Sequence, residues 1–154
     1  MGRFSFAVVN DIESSEWNNY EIIGLRTKDR GSGVLLMELD GRLYSALYDI
    51  NEMRDQSTGL SKPIICDFCK TWQTGGRAGS ITFHPEHRLL NSISFLCCLD
   101  LNCSLHVRDM TEASKLSRVQ LREDVSREYR IERLRDKLAL LAERLNLEPI
   151  VCNI

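Results

Sequence analysis

Through the first third of the chain, apolar positions come in short or alternating runs. YEIIGLR (20–26), GVLLMELD (33–40) and RLYSALYDI (42–50) are separated by turn-forming residues, the pattern of strands with a buried face. Asp40-Gly41 joins the last two runs, and both positions tolerate positive φ, so a two-residue hairpin is predicted there. Residues 20–50 are therefore expected to form an antiparallel meander. NEMRDQSTGLSKP (51–63) is polar and reads as a connector. Beyond it, SITFH (80–84) and SISFLCC (92–98) predict a second hairpin, preceded by the glycine-rich turn QTGGRAG (73–79). After Cys103 the pattern turns helical. The clearest helix spans 123–146, where Ile131, Leu134, Leu138, Leu141 and Leu145 recur at steps of three and four and share a face. Asn146 is a plausible stop. Arg127, Arg130, Arg133 and Lys137 recur at the same steps as a basic stripe, balanced by acids elsewhere on the helix, and such a stripe is ordinarily a solvated face.

Composition narrows this only a little. With 154 residues, 43% hydrophobic and 27% charged, the chain is one domain's worth and long enough to bury a core. No apolar run approaches the roughly 20 residues that cross a bilayer. The opening MGRFSFAVVNDIESSEW lacks the apolar core and cleavage site of a signal peptide. Phe6 also stands where a myristoylation signal needs Ser or Thr. A cytoplasmic location is expected. Charge is unevenly spread: residues 1–60 carry 6 Lys/Arg against 10 Asp/Glu, residues 61–110 carry 5 against 4, and residues 111–154 carry 9 against 8. The segment holding most of the cysteines is thus not the strongly basic patch of a typical nucleic-acid module.

The cysteines change the picture most. In a reducing compartment, six cysteines point to metal ligation or catalysis rather than to disulfides. PIICDFCKTW (63–72) places Cys66 and Cys69 three positions apart, and FLCCLDLNCSLHVR (95–108) adds Cys97, Cys98 and Cys103. Zinc takes four ligands in a tetrahedron and suits thiolate sulfur. A two-residue spacer lets Cys66 and Cys69 wrap one side of an ion in a knuckle. A strand end and the first turn of a following helix can supply the other two, Cys103 and one of Cys97 or Cys98, because adjacent strand residues do not easily face one ion together. Asp100 is a candidate N-cap for that helix through the N–H of Asn102 or Cys103. His106 could stand in for a thiolate, but four cysteines are simpler. His84 and His87 read as surface residues. A thioredoxin-like redox role needs an exposed cysteine at a helix start in a βαβ setting, whereas a glycine loop and a strand follow here.

ICDFCKTWQTGG, NSISFLCCLDLNCSLHVR and the closing RIERLRDKLALLAERL together resemble the C-terminal treble-clef zinc-finger domain of the elongation-factor-G-binding proteins. That family includes the fusidic-acid-resistance proteins and many short bacterial members. WNNYEIIGLR and ELDGRLYSAL resemble the β-rich lead-in of the short members, so the resemblance covers residues 17–146, with its specificity in 64–108. Its pattern of CxxC, hairpin and C-x-D-x-x-C-S implies Cys66, Cys69, Cys98 and Cys103 as ligands of one structural zinc, and so selects Cys98 over Cys97. It implies an α+β chain: a β-rich region over 1–60 packed on a treble clef over 61–154 made of knuckle, hairpin and helix, with a long C-terminal amphipathic helix. In the resistance proteins this domain docks on elongation factor G and helps free it from a stalled ribosome. Their additional N-terminal helical bundle has no counterpart in these 154 residues.

The expected function is therefore that of a non-enzymatic zinc protein of the translation machinery. Its partner would be elongation factor G or the ribosome, met through Phe68, Trp72, Arg77 and Arg108, since aromatic and arginine anchors dominate interfaces. Phe83 and Phe95 are expected in the core. The alternative is a binder of nucleic acid or ribosomal RNA through the basic stripe of the last helix. An enzyme is not expected, because four thiolates close a zinc site that catalysis needs open.

Overall fold

The structure is a computed structural model and describes residues 6–8, 20–27, 31–85 and 91–150. Its elements are β1 (Phe6–Val8), β2 (Ile22–Thr27), β3 (Ser32–Leu39), β4 (Arg42–Glu52), β5 (Ile64–Ile65), β6 (Trp72–Gln73), β7 (Ala78–His84), β8 (Ile93–Cys98), α1 (Cys103–Val107), α2 (Glu112–Leu121) and α3 (Arg127–Arg144). Among the described residues, six strands form one antiparallel sheet in the order β1-β2-β3-β4-β7-β8, and β5 and β6 form a separate ribbon. The class is α+β, as the sequence pattern indicates. The expected division near residue 60 falls inside this sheet, since β4 on one side pairs with β7 on the other.

The meander forms where its alternation predicts it. Leu39 faces Arg42 across the hairpin, and Asp40 and Gly41 take φ of 52° and 75°, as a two-residue turn matching strand twist requires. Strand register then aligns one face of the sheet. Ile22 lies opposite Met37, Leu35 opposite Ala46, Tyr48 opposite Phe83, and Ile81 opposite Phe95. This inner face makes up most of the core, together with Leu134, Leu138, Leu141 and Leu145 of α3 and its C-terminus.

The helical end differs from the sequence reading in one respect. The single helix expected over 123–146 begins at Arg127, where the Ser126 side chain accepts a hydrogen bond from the Tyr129 N–H. It ends at Arg144, with Asn146 at φ 51° just beyond. A separate helix, α2, precedes it, capped by a reciprocal Thr111–Ser114 pair and closed by Arg122 at φ 51°. Helix α2 buries only Ala113, Ser114 and Ser117. Its larger apolar residues, Leu116 and Val119, are exposed, so no apolar stripe faces the core.

Two glycines let the Cys98–Cys103 turn lie directly on the sheet. A Cβ at Gly24 would stand 2.3 Å from Leu101 Cδ1, and one at Gly79 would stand 2.4 Å from Leu99 Cδ2. Both are closer than side chains tolerate, so the absent Cβ atoms are what admit the two leucines.

Candidate metal centre

The centre is built from three short pieces. In the first, β5 and β6 pair Ile64 with Gln73 and Ile65 with Trp72, and the loop between them closes as a knuckle. The Cys66 N–H donates to the Thr71 carbonyl at 3.0 Å, and the Lys70 N–H donates to the Cys66 carbonyl at 2.9 Å. Lys70 takes φ 57°, which turns the chain back after Cys69. Asp67 clips the knuckle to the edge strand. Its N–H donates to the Leu96 carbonyl at 2.9 Å, and its carboxylate accepts from the Leu96 N–H at 2.8 Å. The second piece is the end of β8, which carries Cys97 and Cys98. The third is the start of α1, which carries Cys103.

These pieces bring five buried, unbridged thiols together: Cys66, Cys69, Cys97, Cys98 and Cys103. Sγ of Cys66 lies 3.8 Å from that of Cys103, and Sγ of Cys98 lies 3.3 Å from Cys103. A tetrahedron with zinc–sulfur bonds of about 2.3 Å has edges of about 3.8 Å, so the spacing fits zinc. The sulfurs of Cys66, Cys97, Cys98 and Cys103 all lie within 4.8 Å of one another. The Cys69 sulfur, expected as a ligand, falls outside this set of four, although it interacts electrostatically with Cys103, Cys66 and Cys98. Cys97 and Cys98, not expected to face one point easily from a strand, do so here. The strand ends at Cys98, the chain turns through Leu101 at φ 54°, and the alternation that would separate the two side chains stops there.

Crowding divides the thiols electrostatically. Burial opposes ionisation of Cys66, but hydrogen bonds from the thiols of Cys103, Cys69, Cys97 and Cys98 outweigh it and hold Cys66 well below the ordinary thiol range. Burial pushes Cys69 well up, reinforced by the negative charge on Cys66. Hydrogen bonding to its neighbours likewise raises Cys103. A low-dielectric pocket thus accepts one thiolate readily and resists a second, unless a cation is shared among them.

A polar shell holds the turn between Cys98 and Cys103. Asp100 accepts from the Asn102 N–H at 3.1 Å, but the N-cap position of α1 expected for it is held by Asn102, whose side chain makes no capping bond. Both Asp100 oxygens also lie 3.2 Å from His106 Nε2, and His106 Nδ1 lies 2.7 Å from Thr111 Oγ1. Both ring nitrogens of His106 are therefore engaged, and the imidazole braces the turn. Burial pushes the Asp100 carboxyl up, but the hydrogen bond and charge of His106 prevail and keep it below its ordinary range. Ser104 Oγ accepts from the Glu21 and Ile22 N–H groups at 2.9 and 3.3 Å, which fastens α1 to the start of β2.

The expected recognition residues separate by burial. Phe68 is only 2% exposed and packs edge-on against Phe83 and Phe95, so it belongs to the core. Arg108 is also buried. It donates to both Glu21 carboxylate oxygens and to the Ser104 carbonyl, because burying Glu21 beside α1 demands a cationic partner. Neither offers a contact surface. Trp72 is half-buried, its N–H donating to Ser117 of α2 at 2.8 Å, and Arg77 is exposed.

The basic stripe of α3 is also largely committed within the chain. Arg127 donates to the Arg108 carbonyl, Arg130 to the Val107 and Val125 carbonyls, and Arg133 to Glu123, while Lys137 lies 4.8 Å above the Phe95 ring. His84 is exposed and pairs with Asp49. His87 and Cys152 lie outside the described residues.

The sequence pattern that defines the FBP C-terminal treble-clef zinc-finger matches residues 4–145. The chain belongs to this family. No curated protein and no solved structure matches it. The zinc-finger character of the FBP C-terminal family accords with the thiol cluster. Its reach to residue 145 makes the meander and α3 part of the family domain along with the knuckle. Among the described residues of this FBP C-terminal domain, no helix is long and apolar enough to cross a membrane.

Three contributors escaped the sequence reading. Cys97 was set aside on the family resemblance, and the depth of Arg108 was hidden because Glu21 lies 87 positions away. Arg26, which lines a cleft with Leu99 and Asp100, sits among strand residues with no local motif. A contact map could have found the last two, but no spacing rule could.

Proposed function

We propose that this chain is a non-enzymatic adaptor of the translation machinery, working in the cytoplasm and docking on elongation factor G as a rigid zinc module. Membership of the FBP C-terminal treble-clef family over residues 4–145 carries this reading, together with a thiol centre that leaves no open position for chemistry. One structural zinc is bound by Cys66, Cys69, Cys98 and Cys103. Cys97 is the surplus thiol: its S–H donates to the Cys98 carbonyl at 3.3 Å, a role for a protonated sulfur rather than a ligating thiolate. When bound, the ion cross-links the knuckle, hairpin and helix start. The protein supplies the rest through the Asp67 clip and the Asp100–His106 brace.

Trp72 and Arg77 are the members of the expected surface left available to a partner. The RNA reading draws no support from the α3 stripe, whose cations are occupied internally. The test is gel filtration of the zinc-loaded chain with purified elongation factor G. A stoichiometric complex that weakens at least tenfold in Trp72→Ala is expected. Independent elution of the two proteins at micromolar concentration would overturn the reading. Native mass should show one zinc, retained in Cys97→Ser and lost in Cys69→Ser. The reverse pattern would assign the fourth ligand to Cys97.

A further inference from the structure

A cleft of about 370 Å³ opens beside the Cys98–Cys103 turn, within the size range of small-ligand sites. Ile50 and Leu99 give it apolar walls, and Glu52, Asp100, Arg26 and Arg77 give it charge. The two carboxylates are already committed. Glu52 receives Arg54 Nε at 2.6 Å, and Asp100 receives Asn102 and His106. Arg77 is not, and Arg26 is only in part, through the Tyr48 hydroxyl. Nε and Nη2 of Arg26 are shut off from solvent and meet no hydrogen-bond partner among the described residues. Arg77 stands exposed at the end of a short turn and makes no ion pair among the described residues.

Register explains how Arg26 comes to face the cleft. It pairs with Gly33, which pairs in turn with Tyr48. A Cβ at Gly33 would lie 2.6 Å from the Tyr48 hydroxyl. The tyrosine therefore occupies the space above the glycine, and its hydroxyl lies against the Arg26 guanidinium. Arg26 is thus positioned by the sheet with part of its donor fork unused. Buried donors of this kind are rarely left unmatched in native proteins, and a guanidinium fork matches the geometry of an oxyanion.

We propose that this cleft binds a compact oxyanion, a carboxylate or phosphate group, between Arg26 and Arg77, with Leu99 and Ile50 covering the ligand's apolar part. A polyanion such as RNA fits poorly. Its flanking phosphates would pass Glu52 and Asp100 on a chain whose net charge is −2. This site does not depend on the elongation-factor reading, because its ligand is defined by the cleft alone.

The test is an amide NMR titration of the full zinc-loaded chain at constant ionic strength, with inorganic phosphate in one arm and N-acetylglutamate in the other. Saturable shifts centred on Gly76, Arg77, Leu99 and Ile50 are expected in at least one arm, and the stronger arm names the oxyanion. Arg77→Gln, at an exposed turn, should weaken that binding at least fivefold, and Arg26→Gln at least tenfold. Arg42→Gln, outside the cleft, should leave it unchanged. Linear, unsaturated shifts in both arms, or equal affinity in Arg77→Gln and the parent chain, would overturn the proposal.

Discussion

The metal module packs against the meander, yet the two are held together by different means. Strands β3 and β4 are 8 and 11 residues long and bury alternate residues on a common face. Ordinary hydrophobic burial and a continuous ladder suffice for such strands. The metal module consists of two strands of 2 residues and a helix of 5. Neither a two-residue ribbon nor a one-turn helix is stable alone. Its order comes from sulfur, from the Asp67 and Asp100 hydrogen bonds, and from two leucines pressed onto glycines of the sheet. A chain can therefore give part of its surface a fixed shape without enlarging its core, provided that an ion substitutes for missing apolar area.

Removing the metal should break this comparison most severely. Structural zinc contributes on the order of 10 kcal/mol in small zinc modules. Chelation should abolish amide protection through residues 64–73 and 98–108 while β3 and β4 keep most of theirs, as read by hydrogen exchange. Uniform retention of protection would show that the module needs no ion.

Next in size is the buried pair that joins the two regions. Arg108→Ala leaves Glu21 charged at 4% exposure, with only the more exposed Arg135, 3.7 Å away, beside it. It should cost about 3–5 kcal/mol in urea denaturation, and Glu21→Gln in the same chain should recover part of the loss. A smaller effect is expected at the glycine contact. Gly24→Ala would push Leu101 away from the sheet and cost about 1–3 kcal/mol, with the change in hydrogen exchange concentrated in the 98–103 turn.

The smallest effect confines itself to the sheet. Burial raises the Tyr48 hydroxyl from its ordinary 10.0 to about 12, against the lowering effect of Arg26. The folded state thus favours the neutral phenol. This contribution is complete below pH 10.0 and disappears as pH rises toward about 12. Tyr48→Phe should flatten that part of the alkaline stability curve and leave zinc content untouched. An unchanged curve would place the alkaline titration elsewhere.

How much of this was readable in advance follows the same division. The meander, its Asp40-Gly41 turn and the apolar face of α3 are local patterns, and all were legible. A thiol cluster was legible from the spacing of the cysteines, but the structure groups Cys97, rather than Cys69, with Cys66, Cys98 and Cys103. Helix α2 was legible only as helical character after Cys103 and not as a separate element, because it buries small residues rather than an apolar stripe. The two sides of the last helix fared differently. Leu134, Leu138 and Leu141 are buried as their period demands. Arg130 and Lys137, read as solvated, are spent on the Val107 carbonyl and the Phe95 ring, which lie far away in sequence.

By itself the sequence determined the strand-then-helix order, the hairpin turn and a supply of thiols suited to zinc, since each depends on neighbouring residues or short spacings. Only the tertiary structure decided that Cys97 joins the thiol cluster, that Phe68 and Arg108 are interior, and that Arg26 faces a cleft with Arg77. Those outcomes depend on strand register and on where a turn docks, and register is set by pairings between segments tens of residues apart.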